Sequence, residues 1–279
     1  MLTLPELTVY ISHTCDLACE GCFTFNQLNW GKHFDINNNV KQLKDKVDFE
    51  EIFLLGGEPL LNPYLKQWMD WMQYMWPRSR KKWIVTNGRN LDKLPTDWHE
   101  NWQLEISAHS PTDLEQILDW LNVRNFELTK FYDDRHTDAT VHYKIMFEGQ
   151  EAGELSESWK FFENPSILEN NKPITWKNLN DANKQHSLCP SKECLHLLDG
   201  RFYRCPQQAI LPQLHKKFRI EEPYSSIASQ DVGCAPSEFL EWIETRNSPQ
   251  EQCRLCDWSK KINLPEISDI KKIKVTQLL

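Results

Sequence analysis

Short apolar runs alternate with amphipathic stretches along the first half of the chain. Between the runs, apolar residues recur at steps of three and four in 65–76 and in 113–121, which is the spacing of one helix face. Strands that alternate with helices are typical of βαβ units in a parallel sheet. Four runs have the composition and flanking turn residues of buried strands, and they lie at 7–12, 51–55, 83–85 and 103–107.

The rest of the chain predicts two further strands and a hairpin. The strands lie at 141–147 and 174–176. An Asp-Gly pair at 199–200 separates two short alternating runs, and this dipeptide is a strong signal for a two-residue hairpin turn. Residues equidistant from the turn should face each other, which brings Cys194 close to Cys205.

These patterns predict an α/β protein in two parts. Residues 1–185 are predicted to form a partial (β/α)6 TIM-type barrel, whose polar segment 149–185 holds a late barrel element and a linker. Residues 186–279 are predicted to form a small, cysteine-rich α+β extension that contains the hairpin. The carboxyl ends of barrel strands are where such folds place their active sites.

Composition limits the possible functions. Lys and Arg total 32 and Asp and Glu total 40, and the net charge of −8 argues against a nucleic-acid partner. No stretch approaches the roughly 18 apolar residues that a membrane helix needs. Residues 1–6 lack a basic segment followed by an apolar run, so no signal peptide is expected. We expect a cytoplasmic protein with no membrane partner.

Nine cysteines are the most informative residues of the chain. Their odd number excludes complete disulfide pairing, and in the absence of a secretion signal close spacings indicate metal binding or catalysis. One loop after the first predicted strand contains Cys15, Cys19 and Cys22. The other six fall in the last third of the chain, and they are Cys189, Cys194, Cys205, Cys234, Cys253 and Cys256.

Three thiolates in one loop can hold a soft metal site. A closed zinc site or an ordinary iron–sulfur cluster uses four ligands, so three leave one position open. The alternative is structural zinc, with a distant residue such as His13 or His33 as the fourth ligand. Polar motifs after the next three predicted strands favour the open site, and they are Gly56-Gly57-Glu58-Pro59, Thr86-Asn87-Gly88 and Ser107-Ala108-His109-Ser110.

With these motifs the sequence resembles the radical S-adenosylmethionine (radical SAM) superfamily. The Cys-x3-Cys-x2-Cys loop matches the superfamily signature in spacing and in its place after the first strand. The Gly-Gly-Glu-Pro sequence matches the second motif of the superfamily. The resemblance covers roughly residues 5–110. One departure is Gly21, which stands where the family usually has an aromatic residue before the third cysteine.

The resemblance implies roles for these residues. Cys15, Cys19 and Cys22 would bind three irons of a [4Fe–4S] cluster, and the fourth iron would take the amino and carboxylate groups of SAM. The Glu58 carboxylate is a natural acceptor for that amino group. Ser107 is a candidate for the ribose hydroxyls or the methionine carboxylate. The residues implied to line the SAM site are Gly56, Gly57, Glu58, Thr86, Asn87 and Ser107, with turn capping as the alternative for the last three.

The resemblance also implies an activity. An external electron donor of the flavodoxin or ferredoxin kind would reduce the cluster, and SAM would be cleaved to methionine and a 5′-deoxyadenosyl radical. That radical would abstract a hydrogen atom from a small-molecule or peptide substrate, as in an oxidoreductase or modifying enzyme. One alternative is modification of a nucleotide or nucleic-acid base. An alternative of another class is a non-catalytic zinc-binding interaction protein.

The later cysteines resemble the twitch and SPASM extensions of radical SAM enzymes, which carry auxiliary iron–sulfur clusters. The full SPASM set is absent, so the resemblance implies one auxiliary [4Fe–4S] cluster. Zinc at this site and a disulfide between Cys194 and Cys205 are the alternatives. Cys234 fits neither pattern, and we expect a small buried thiol. Two ligand sets stay open: Cys189, Cys205, Cys253 and Cys256, or Cys189, Cys194 and Cys205 with one later cysteine.

Overall fold

An open sheet of eight strands forms the centre of the computed structural model. The strand order is β5-β6-β4-β3-β2-β1-β8-β9. The strands of this sheet are β1 (Leu2–Tyr10), β2 (Val47–Leu55), β3 (Lys81–Thr86), β4 (Gln103–Ala108), β5 (Leu128–Lys130), β6 (Val141–Ile145), β8 (Leu195–Leu198) and β9 (Arg201–Tyr203). The structure describes residues 1–17, 22, 32–124, 128–130, 141–145, 155–156, 179–189, 192, 194–256 and 261–262.

Nearly all pairings in this sheet are parallel. The pairs from β5 through to β8 run parallel, and only β9 is antiparallel to its neighbour β8. The strands β7 (Leu155–Ser156) and β10 (Lys261–Ile262) form a separate antiparallel pair. The predicted mixed α/β fold with an open, mostly parallel sheet is therefore confirmed, whereas the count of six barrel units stays a prediction.

Helices connect the strands where the apolar periodicity predicts them. The helix α1 (Leu65–Met75) buries the face that carries Trp68, Met69 and Met72. This stripe packs into the core, in agreement with its predicted role. The other helices are α2 (Pro111–Arg124), α3 (Ala182–Leu188), α4 (Pro206–Lys217), α5 (Tyr224–Ala228) and α6 (Phe239–Trp242).

The predicted hairpin forms with the predicted register. Leu198 pairs with Arg201 across the turn, and the ladder continues outward with His196 opposite Tyr203. Asp199 and Gly200 have φ values of 51° and 78°, which a two-residue turn of type I′ requires. Cys194 and Cys205 lie just beyond the paired residues.

The hairpin belongs to the main sheet. Residues 7–10 of β1 pair in parallel with residues 195–198 of β8. The predicted extension 186–279 therefore shares a sheet with the barrel strands. The predicted strand at 174–176 lies outside the described residues. Among the helices in the described part of the chain, none is both long enough and apolar enough to cross a membrane.

Candidate active site

The ends of β1 and β2 meet directly before the first cysteine. The backbone N–H of Gly57 donates to the Ser12 carbonyl at 2.7 Å, and that of Glu58 donates to the Thr14 carbonyl at 2.8 Å. A Cβ atom on Gly57 would lie 2.2 Å from the Thr14 oxygen. Glycine is therefore required for this close approach, which positions the segment that leads into Cys15.

We expect Gly57→Ala to disturb this junction. The added methyl group would overlap a backbone oxygen, which cannot rotate away as a side chain can. Overpacking of this kind costs about 1–3 kcal/mol, so the denaturant midpoint should fall and the iron content of the cysteine loop should fall with it. An unchanged midpoint and iron content would contradict the described approach of the two strands.

Glu58 ties the loops after β2 and β3 together. Its side chain is fully buried. One carboxylate oxygen accepts from the Leu60 N–H at 3.0 Å and the Thr86 hydroxyl at 2.7 Å, and the other accepts from the Asn87 N–H at 2.7 Å. Burial raises the pKa of Glu58 to about 7, although these hydrogen bonds lower it. The second oxygen keeps a lone pair for one further donor.

The loop after β3 also holds the cysteine loop. The Asn87 amide donates to one oxygen of Asp16 at 2.7 Å, and the Asn90 amide donates to the other at 3.0 Å. Asp16 follows Cys15 directly, so this network fixes the start of the cysteine loop against β3. Sequence reasoning missed Asp16 and Asn90, although their places inside the Cys and Asn-Gly motifs could have indicated them.

The structure describes two of the three N-terminal cysteines, Cys15 and Cys22. Leu17 N–H donates to the Cys15 sulfur at 3.4 Å, and burial is the largest cause that raises the pKa of this thiol. Cys22 is partly exposed, and Cys19 lies outside the described residues. Ser107 is buried near the end of β4. The contacts of Ser107 and the cysteines to SAM and iron stay predictions.

Four later cysteines line one pocket. Cys189 directly follows α3, and Cys205 precedes α4, where its sulfur accepts from the Gln208 N–H at 3.5 Å. Cys253 lies in a 3-10 helix, Glu251–Leu255, and Cys256 follows that helix. The described lining of this pocket does not include Cys194.

These cysteines are partly exposed, and their thiols influence one another electrostatically. Burial raises the pKa of Cys205 well above its ordinary value, and the neighbouring Cys256, Cys253 and Cys189 raise it further. Burial also raises the pKa of Cys253, which the positive charge of Arg204 lowers. Such thiols lose their protons together only when a bound cation compensates the charge, as a coordinated metal does.

The remaining cysteines have other surroundings. The eight cysteines in the described part of the chain are thiols, so the alternative of a disulfide between Cys194 and Cys205 is wrong. Cys234 is buried and exchanges two backbone hydrogen bonds with Phe202. Its sulfur also contacts the Ala235 carbonyl at 3.1 Å. This is the packing expected of a structural thiol.

The two proposed alternative zinc ligands have contacts outside the cysteine loop. His33 Nδ1 lies 3.0 Å from the Ser12 hydroxyl, and His13 Nε2 lies 3.2 Å from the Gln213 side-chain oxygen. Over the ranges that the structure describes, no three His, Cys, Asp or Glu side chains converge at the distances of a single metal ion.

Cysteines of both groups raise the pKa of Tyr10. Its ring is buried, and its hydroxyl has no hydrogen-bond partner within the described ranges. Burial raises the pKa of Tyr10, and Cys205, Cys22 and Cys194 raise it further in that order.

Comparison with known families finds a match in the first part of the chain. Residues 6–117 match the family described as a 4Fe-4S single cluster domain. This segment contains the cysteine loop, the Gly-Gly-Glu-Pro motif and the Glu58 network. The match covers less than half of the chain, and its description agrees with the [4Fe–4S] cluster predicted for the N-terminal cysteine loop. No curated protein matches the chain.

Two solved proteins are similar in structure at low sequence identity. BtrN in complex with AdoMet and 2-DOIA is 16% identical, with 91% of this chain and 92% of BtrN covered, at a TM-score of 0.47. SuiB of Streptococcus suis bound to S-adenosylmethionine is 14% identical, with 72% of this chain and 60% of SuiB covered, at a TM-score of 0.34. Because both TM-scores lie below 0.5 and both identities below 25%, these two likenesses assign no function to this chain.

Proposed function

We propose that this protein is a radical SAM enzyme with one auxiliary [4Fe–4S] cluster, which oxidises or otherwise modifies a small molecule or a peptide. The observation that carries the proposal is the presence of two separate cysteine sites in one chain. One is a three-cysteine loop whose start, at Asp16, is held by Asn87 and Asn90, and the other is a four-cysteine pocket.

The first site fits a cluster that keeps one iron for SAM. Cys15, Cys19 and Cys22 supply three thiolates, and the Asp16 network holds the start of their loop. Glu58 offers a buried carboxylate with an acceptor position for the amino group of SAM. When bound, the cluster and SAM supply the 5′-deoxyadenosyl radical. The residues bind and orient both groups.

The second site fits a closed cluster. Four thiols line one pocket, which supports the twitch set of Cys189, Cys205, Cys253 and Cys256. Four thiolates are the usual ligand set of a [4Fe–4S] cluster, and zinc stays the alternative at this site. Cys194 is then not a ligand.

An auxiliary cluster would make an oxidation possible. One electron is consumed when SAM is cleaved, and hydrogen abstraction leaves a substrate radical. Transfer of one electron and release of one proton from that radical give a product oxidised by two electrons. The auxiliary cluster would accept this electron.

We expect Cys253→Ser to affect the auxiliary site and to leave the N-terminal site intact. It should remove about half of the iron, roughly four of eight atoms per chain, because a closed cluster needs four ligands. SAM cleavage should persist, because the N-terminal cysteine loop keeps its three thiolates. Iron analysis and quantification of 5′-deoxyadenosine on the same preparations measure these effects.

Cys194→Ser is the matched control. It should retain all iron and SAM cleavage, since Cys194 does not line the described pocket. Loss of about half of the iron in Cys194→Ser would refute the twitch set and favour the alternative ligand set, which includes Cys194.

A further inference from the structure

Gln207 is a buried donor in the four-cysteine pocket. Its side chain lines the pocket and is only 7% exposed. Its side-chain nitrogen finds no hydrogen-bond acceptor in the ranges that the structure describes. Buried donors without an acceptor are rare and cost about 1–3 kcal/mol. In a pocket lined by four thiols, a bound cluster would provide sulfur acceptors for this amide.

Arg204 brings a fixed positive charge to the same pocket. Its guanidinium donates to the Ser248 carbonyl at 2.9 Å and to the Thr245 hydroxyl at 2.8 Å. It also lies 5.2 Å from the centre of the Trp242 ring. These contacts hold the side chain at the pocket lining, next to Cys253.

We infer that Gln207 donates a hydrogen bond to a sulfur of the auxiliary cluster and that Arg204 adds positive charge beside it, so that both raise the reduction potential of the cluster. The inference rests on the proposed auxiliary cluster. Each added electron makes an iron–sulfur cluster more negative, and N–H donors and nearby cations stabilise that reduced state. A raised potential makes the cluster a better acceptor for the electron of the substrate radical. Both are positioning residues, because they act through the cluster.

The reduction potential of the auxiliary cluster tests the inference directly. The full chain with Cys15→Ala, Cys19→Ala and Cys22→Ala retains only the auxiliary ligands, so its EPR signal reports that cluster alone. In this background we expect Gln207→Leu to lower the equilibrium constant for one-electron reduction about tenfold, a shift of 59 mV to lower potential. Gln207→Glu should lower the midpoint potential further, because the substitution replaces the donor with an acceptor. Arg204→Gln should also shift it to lower potential.

A matched substitution outside the pocket controls for general effects. Gln73 lies in α1, and its side-chain oxygen is buried without a partner among the described residues. Gln73→Leu should leave the midpoint potential unchanged.

The outcomes separate this inference from the proposed function. A fully iron-loaded Gln207→Leu protein with an unchanged midpoint would overturn the role of Gln207, and an unchanged midpoint in Arg204→Gln would overturn that of Arg204. If the Gln207→Leu protein loads no iron, the Gln207→Glu protein provides the test instead. An iron-loaded Gln207→Glu protein with the midpoint potential of the parent would overturn the inference. An iron-free parent triple variant would instead refute the auxiliary cluster itself.

Discussion

Replacement of Cys15, Cys19 and Cys22 by alanine should reduce formation of 5′-deoxyadenosine to the level of a reaction without enzyme. The three thiolates are the proposed ligands that leave one iron for SAM, and no other cysteine of the chain lies in that loop. The iron content should fall from roughly eight to roughly four atoms per chain. Anaerobic assays with reductant, together with iron analysis, measure both effects.

Cys234→Ala provides the comparison for this variant. The Cys234 thiol is buried between backbone partners and belongs to neither cysteine site. Its removal should cost some stability but leave the iron content and SAM cleavage in place. Undiminished SAM cleavage by the triple alanine variant would refute the assignment of the N-terminal loop.

The second large effect is expected for Glu58→Ala. The substitution leaves three buried donors without their acceptor: the N–H groups of Leu60 and Asn87 and the hydroxyl of Thr86. Each unsatisfied buried donor costs about 1–3 kcal/mol, so the loss of unfolding free energy should be at least about 3 kcal/mol. Denaturant unfolding measures this loss, and binding of SAM to the folded fraction should weaken as well.

The loss of unfolding free energy in Glu58→Ala should depend on pH. Glu58 has a pKa of about 7 in the folded protein and an ordinary value of 4.5. The folded state therefore binds this proton more tightly, and the resulting stabilisation is full below pH 4.5 and is lost as the pH rises through 7. The difference in unfolding free energy between Glu58→Ala and the parent should therefore become smaller as the pH rises from 4.5 through 7.

Glu50→Ala is the control on the same strand. Glu50 lies on β2 with an exposed side chain, and its removal should change stability by no more than about 0.5 kcal/mol. Equal effects of the two substitutions would show that the Glu58 network does not hold the loops together.

Local patterns in the sequence predict the elements well. The run at 83–85 lies inside β3, and the periodic stretch 65–76 coincides with α1 within one residue. Both depend on side chains a few positions apart, which a sequence displays directly. The Asp-Gly pair at 199–200 even fixes the register of the hairpin, because the turn sets which residues face each other.

Pairings between distant segments could not be predicted in the same way. Nothing in the composition of β8 indicates that it pairs with β1, about 190 residues earlier, because parallel pairing depends on tertiary packing. The partners of Asp16 escaped prediction for the same reason, since Asn87 and Asn90 reach it from another strand end. Gln207 was missed because a glutamine carries no motif, although it lies two residues after Cys205.

The central claim is tested most directly by the products formed from SAM. Wild-type protein, reconstituted anaerobically with iron and sulfide, is incubated with SAM and a strong reductant, and methionine and 5′-deoxyadenosine are quantified. We predict a brown protein with roughly eight irons per chain that forms both products in equal amounts. A fully iron-loaded protein that never cleaves SAM, or a colourless protein that binds only zinc, would contradict the account.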